Sequence, residues 1–307
     1  MNSTIHERPG VYSSYDASSV VSASAAAKTI GAAAVAVGKD ESEEKDYASA
    51  FAALSDEEDV GVMVCDSAAQ SVHLLLKTAA EDASAARRER IAVIGGSEET
   101  VAQMVNRAKA VNSERVVLVG PDIASDDGGT MSAVFAAAAV AAVIAGNTDP
   151  SVPINGAELT LFGAADKRLS DNEIDQLVRG GVTPIETVGG VSSPVRGITT
   201  KTSSGGAADT TWRELTTILI VDEVIPTIRS ALRTRFARSK NTAQSRGAIR
   251  SQVVLELEEM KSREIVDSYG EVLVSALKSD PTVCLVEFSF TVAHGLNRIY
   301  LTAHITV

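Results

Sequence analysis

No feature constrains this chain more than the region from residue 60 to 120, where short uninterrupted apolar runs alternate with helix-length segments. VGVMVCD, RIAVIGG and RVVLVGP are short apolar runs of strand length. One helical segment runs to about Arg88 and the next from Ser97 to Val111. In the latter, Val101, Met104, Val105, Ala108 and Val111 share one stripe, with Glu98 and Glu99 expected in the first turn, where the helix dipole favours them. This βαβ alternation predicts a parallel sheet flanked by helices. The greasiest stretch, Met131 to Gly146, is too short and too alanine-rich to span a bilayer, and reads as a buried helix.

Ser170-Asp171-Asn172-Glu173 fits a capping box opening a helix to about Arg179, which Gly180-Gly181 ends. VTPIETVGG and VSSPVRGITTKT are expected to form a hairpin leading out of the first domain, and TSSGGAADT a linker. Beyond it Leu215, Ile218, Val221, Ile225, Ile228, Leu232 and Phe236 mark a long helix that Pro226 should kink. The tail turns to β. In TVCLVEFSFTV the even positions Cys284 to Val292 form one apolar face, and in NRIYLTAHITV the odd positions Ile299 to Val307 do so. Val272 and Val274 suggest a third strand upstream. The expected fold class is α/β, a βαβ-type sheet domain followed by an α+β C-terminal domain, with extended N- and C-terminal arms. The boundaries are an arm at 1–24, an α/β domain at 25–202, and a C-terminal domain at 203–307 that ends in the extended strand.

Chemistry is sparse. Forty acidic against 28 basic residues give a formal charge of −12, which argues against nucleic acid or an anionic membrane surface as partner. MNSTIHERPG has no basic segment leading into an apolar core, so no secretory signal is expected. Cys65 and Cys284 each sit inside an apolar run and read as small buried hydrophobes. GGSEETV follows a strand, but it lacks both GxGxxG and GxxxxGKS, and its two carboxylates would repel a phosphate. His6, His73, His294 and His304 have no second ligand at metal spacing; His73 should pack on its helix. No HExxH, Cys-x-x-Cys or GxSxG occurs, so no catalytic, metal-binding or cofactor-binding residue is assigned and no cofactor is expected.

The distinctive parts are the two ends, where a chain can be lent to a neighbour. An extended segment added to an exposed sheet edge obtains main-chain hydrogen bonds and alternate side-chain pockets. Polymer formation is the sharp reading; the bland one is that both ends complete the chain's own sheet. Arg229, Arg233, Arg235, Arg238, Lys240, Arg246 and Arg250 precede Glu256, Glu258, Glu259 and Glu264, so a basic and an acidic surface adjoin. They are either contacts between subunits or a solvated face with ion pairs worth little each.

HERPGVYSSYD, GNTDPSVPINGAELTLFG, LSDNEIDQLVRGGVTPIETVGGVSSPVRGITTKT and LNRIYLTAHITV, in that order, resemble the contractile tail sheath proteins of myophages and related particles. The resemblance implies a structural, non-enzymatic subunit of a helical homo-oligomer of stacked rings around a tail tube protein, meeting baseplate and tail terminator proteins. It implies a place in the tail of a virion or phage-like particle assembled in the bacterial host cytoplasm, with no nucleic-acid partner and no membrane insertion. Carried over by position, the linking arm is Glu7, Arg8, Pro9, Gly10, Val11 and Tyr12, and the donated strand holds Ile299, Tyr300, Leu301, Ala303, Ile305 and Val307. Arg233, Arg235, Arg238, Arg246, Arg250, Glu256 and Glu259 are the candidate subunit or tube contacts, within a C-terminal domain from about Trp212 that would face the tube. Two other readings stand beside it, a doubly wound small-molecule enzyme and a scaffold that closes into rings.

Overall fold

The computed structural model describes residues 11–13, 44–55, 57–58, 60–124, 129–159, 163–165 and 167–297. The chain divides into two compact units, one with the described residues up to Thr148 and from Ile154 to Leu215, the other with Asp149–Pro153 and the residues from Thr216.

The first unit runs β1 (Val11–Ser13), α1 (Glu44–Ser55), β2 (Val62–Val64), α2 (Gln70–Ala85), β3 (Ile91–Gly95), α3 (Val101–Val111), β4 (Val116–Gly120), β5 (Ile123–Ala124), β6 (Thr130–Met131), α4 (Val134–Gly146), α5 (Asp171–Arg179), β7 (Val182–Val188), β8 (Val191–Pro194), β9 (Ser203–Ser204) and β10 (Ala207–Ala208). The main sheet has the order β1-β2-β3-β4-β7-β8, parallel throughout except for the final antiparallel pair. Strand parity divides its core. Met63, Cys65, Ala92, Ile94, Val116, Leu118 and Val182 pack under α1, α2, α3 and α5. Val62, Val64, Ile91, Val93, Val117 and Val119 point the other way and are also buried, on the face where α4 lies against β2, β3 and β4. Burial on both faces explains why the sequence shows apolar runs here instead of alternation.

The strand order advances in one direction through β1, β2, β3, β4 and β7. A doubly wound sheet instead reverses its order and opens a ligand crevice at the reversal. Among the described parallel strands there is no such reversal.

Three local expectations are corrected. Helix α3 starts at Val101, not Ser97: Thr100 caps it, exchanging hydrogen bonds with Gln103, and Glu98 has a φ of 54°. Glu98 and Glu99 therefore precede the helix instead of lining its first turn. The hairpin expected from VTPIETVGG and VSSPVRGITTKT does form, β7 pairing antiparallel with β8, but it does not lead out of the first unit, because β7 is also the last parallel strand of the main sheet. In TSSGGAADT, β9 and β10 pair about Gly205-Gly206, whose φ angles of 57° and 84° suit only glycine well. The capping box at Ser170 and Glu173 is as expected, and its hydrogen bonds from Ser170 hold the Glu173 carboxyl below its ordinary pKa.

The second unit consists of α6 (Leu215–Phe236, its first residue in the first unit), α7 (Ala243–Ser262), β11 (Val266–Tyr269), β12 (Leu273–Ala276), β13 (Cys284–Glu287) and β14 (Phe290–Val292). Helix α6 runs through Pro226. Its core stripe is Ile220, Val224 and Ile228 with Leu232 partly buried, rotated from the expected one, so Val221 and Ile225 are only half-buried. These residues meet Val253, Leu257 and Met260 of α7 and the inner face of the β elements.

Candidate assembly surface

The four strands of the second unit form one bent antiparallel hairpin. β11 pairs with β14 and β12 with β13, and Gly270 N donates to Ser289 O at 2.8 Å between the two pairs. The first arm carries extra residues. The register shifts between Val266 and Ser268. A second shift follows, because Gly270, Glu271 and Val272 stand opposite only Phe288 and Ser289. Each extra residue bends the ribbon and increases its twist. The ribbon thereby wraps the helix pair: Val266, Val272, Val274, Val286, Phe288, Phe290 and Val292 all reach the helical core.

Both outer edges of this ribbon are free of any other strand among the described residues. A two-stranded ribbon is marginal alone, and an open edge is a template for a further strand. The outward face mixes apolar and polar residues, with Leu273 51% exposed opposite Glu287 and Leu285 40% exposed opposite Ser275. Asn241 fixes the far end, its amide donating to the carbonyls of Pro281 and Val283 at 2.8 and 3.2 Å.

The charged residues singled out in the sequence fall on this unit in three arrangements. Arg235 donates to the Gln252 amide oxygen, and Gln252 in turn donates to Glu256 Oε1 at 2.6 Å, bridging α6 and α7. Arg246 donates to Asn241 Oδ1 at 2.9 Å. Arg250 lies 3.7 Å from Glu271 with both side chains more than half exposed (55% and 70%). Arg233, Arg238 and Glu259 face solvent. Exposed pairs of this kind are worth about 0.2–1 kcal/mol, so they are cheap to exchange for other partners. Of the arms, Glu7 to Gly10 and Ile299 to Val307 lie outside the described residues, while Val11 and Tyr12 belong to β1, paired in parallel with Val62 and Met63.

Sequence reasoning missed a polar knot at the carboxyl ends of the parallel strands. His73 is fully buried on α2; its Nε2 lies 2.8 Å from Ser67 O and its Nδ1 3.2 Å from Arg107 NH1. With Arg107 a permanent donor, Nδ1 accepts and Nε2 carries the proton. Burial, aided by the Arg107 charge and partly opposed by the Ser67 bond, lowers the His73 pKa to about 4. Arg107 also donates to Ala68 O at 2.9 Å and to Glu99 at 2.8 Å. Glu99 and Arg107 are eight positions apart, a spacing that no helix or strand period brings together. Asp122 accepts from the amides of Glu98 and Ala133, tying β4 to the starts of α3 and α4. Two carboxylates thus fill the space where a phosphate would have to sit after GGSEE. Among the described residues no three His, Cys, Asp or Glu side chains gather as a metal site, and no helix is long and apolar enough to cross a membrane. Cys65, buried, and Cys284, half-buried, are not in a disulfide.

Comparison with known proteins gives a consistent result. Residues 40–200 match the family model described as phage tail sheath protein central domain, and residues 207–306 the one described as phage tail sheath C-terminal domain. The tail sheath protein of Bacillus phage SP01 is 29% identical over 224 residues, which is 71% of this chain and 38% of that protein. The crystal structure of a sheath tail protein from Desulfitobacterium hafniense superposes with a TM-score of 0.64 at 14% identity, covering 81% of this chain and 60% of that one. The helical sheath of the anti-feeding prophage in its contracted state superposes with a TM-score of 0.61 at 10% identity, covering 87% and 76%. The chain spans well under half of the curated relative and about three fifths of the Desulfitobacterium protein.

Proposed function

Because the chain belongs to the phage tail sheath family, whose central and C-terminal domains together match nearly all of it, we propose that it is a structural subunit of a contractile tail sheath. Copies polymerise as stacked rings around a tail tube, bounded by baseplate and terminator proteins, in the tail of a virion or phage-like particle formed in the host cytoplasm. Contraction of this lattice drives the tube through a cell envelope. Its task is mechanical, not enzymatic.

The observation that carries the reading is the open ribbon of the second unit. It offers two strand edges and exposed leucines at Leu273 and Leu285, and the chain carries, in Ile299, Leu301, Ala303, Ile305 and Val307, a segment with the period-2 pattern that strand addition requires. Each main-chain hydrogen bond nets only about 0.5–1.5 kcal/mol, but a donated strand repeated at every subunit sums to a large lattice energy. The segment Glu7 to Tyr12 links a second neighbour in the same manner. Free energy for contraction resides in the difference between two sets of subunit contacts, and the exposed charges on α6 and α7 are contacts that can be exchanged at low cost.

Deleting residues 299–307 from the full chain tests this by electron microscopy and sedimentation. The complete chain should form hollow striated tubes, and the truncated chain a folded monomer. Tubes from the truncated chain, or only closed rings or discrete oligomers from the complete one, would refute the proposal.

A further inference from the structure

Asn155-Gly156 is the only Asn-Gly pair in the chain. The main-chain nitrogen that follows an asparagine can attack the side-chain amide, and glycine alone leaves that nitrogen unscreened by a side chain. Gly156 is exposed, with a φ of 71° and open space where a Cβ would stand, so water reaches the pair freely. Both reacting groups are nevertheless held. Gly156 N donates to the carbonyl of Pro194, the last residue of β8, at 2.9 Å, and Asn155 Oδ1 accepts from Gly197 N at 3.0 Å. The holding segment is pinned in turn by the residues that precede α6. Leu215 N donates to Gly197 O at 3.1 Å, Ile198 bridges to Glu214, and Arg196 grips the Glu214 carboxylate through two nitrogens at 2.5 and 3.3 Å.

We infer that Asn155 is a latent deamidation site, which the fold keeps unreacted until residues 155–156 part from 194–197. This is independent of the sheath reading. Once the clamp opens, Gly156 N gives its proton to a solvent base and bonds to Asn155 Cγ. The Cγ–Nδ2 bond breaks, and Nδ2 leaves as ammonia with a proton from solvent. Water then opens the cyclic imide at either carbonyl, giving aspartate or isoaspartate at position 155. An aspartate carboxylate still accepts from Gly197 N, and more strongly than the amide did. In isoaspartate the main chain is longer by one carbon, so the Gly156 amide and the new carboxylate no longer reach Pro194 O and Gly197 N together. Opening at this point thereby becomes permanent, and the modified residue marks every chain in which it has occurred.

The test follows the unassembled full-length chain at mildly alkaline pH, folded in buffer and unfolded in urea. Samples are digested, and each asparagine-containing peptide is weighed for the gain of one mass unit and assayed for isoaspartate. In urea Asn155 should react ahead of every other asparagine. In the folded chain it should react about tenfold more slowly or less, because only the opened fraction reacts. Arg196→Met removes the grip on Glu214 but leaves the reacting and clamping groups in place. It should speed the folded reaction about threefold or more, with the urea rate unchanged. Glu214→Gln, the milder change, should fall between Arg196→Met and wild type, and carries the same comparison if Arg196→Met does not fold. Equal rates in buffer and urea, or another asparagine reacting first in urea, would overturn the inference. So would a folded variant that reacts no faster than wild type.

Discussion

Acidification should weaken the first unit through one side chain, His73. Its imidazole is buried and held neutral between Ser67 O and Arg107, with its pKa lowered to about 4, against 6.5 for an exposed histidine. The unfolded chain takes up a proton as pH falls through 6.5, while the folded chain does not until about 4. The contribution of His73 to stability is therefore complete above 6.5 and is lost as pH falls toward 4. At 1.36 kcal/mol per pH unit the whole span is about 3.4 kcal/mol, of which about 2 kcal/mol falls between pH 7.5 and 5. The measurement is urea unfolding of the unassembled chain at both pH values, wild type against His73→Gln, which can still donate to Ser67 but does not titrate. Other titrating groups act alike in both proteins and cancel in the difference. Whatever gap separates the two at pH 7.5, the wild type should lose about 2 kcal/mol more than the variant at pH 5. Equal losses in the two proteins would show that the buried imidazole is not what couples this fold to protons.

Other perturbations address separate features. Gly95→Ala places a Cβ 2.3 Å from the Ala133 backbone, where β3 passes the entry to α4; the clash should cost about 1–3 kcal/mol or more in urea unfolding. Arg90 is buried and donates to the carbonyls of Leu54 and Glu57 at the end of α1. Arg90→Met should destabilise by about 1.5–3 kcal/mol and speed hydrogen exchange in α1 ahead of the sheet. Thr100→Ala and Ser170→Ala each remove a capping box and should cost about 1 kcal/mol, additively because the two helix starts share no hydrogen bond. Reversing Arg235 and Arg238 to glutamate should impair assembly or contraction in electron micrographs; untouched tubes that contract normally would return these charges to solvent.

The legible parts of the sequence were those dictated by local periods. Continuous apolar runs marked β2, β3 and β4 because strands covered on both faces need no polar positions. Ser170 and Glu173 marked a helix start because the capping box is complete within four residues. The even positions from Cys284 to Val292 marked an inward face because that arm of the ribbon has no bulge. Its partner was half-hidden, since the extra residues between Val266 and Val272 break the period of two.

Tertiary structure decided what no window of sequence contains. It placed β7 in the parallel sheet, since a parallel partner is chosen by a distant strand. It turned the α6 stripe toward Val253 and Leu257 rather than along the most apolar diagonal. It assembled His73 and Arg107 from two helices and Ala68 and Glu99 from two loops into one hydrogen-bonded knot. Local chemistry sets which elements form. Which face each one buries depends on the neighbour it meets, and that neighbour is supplied only when the chain closes on itself.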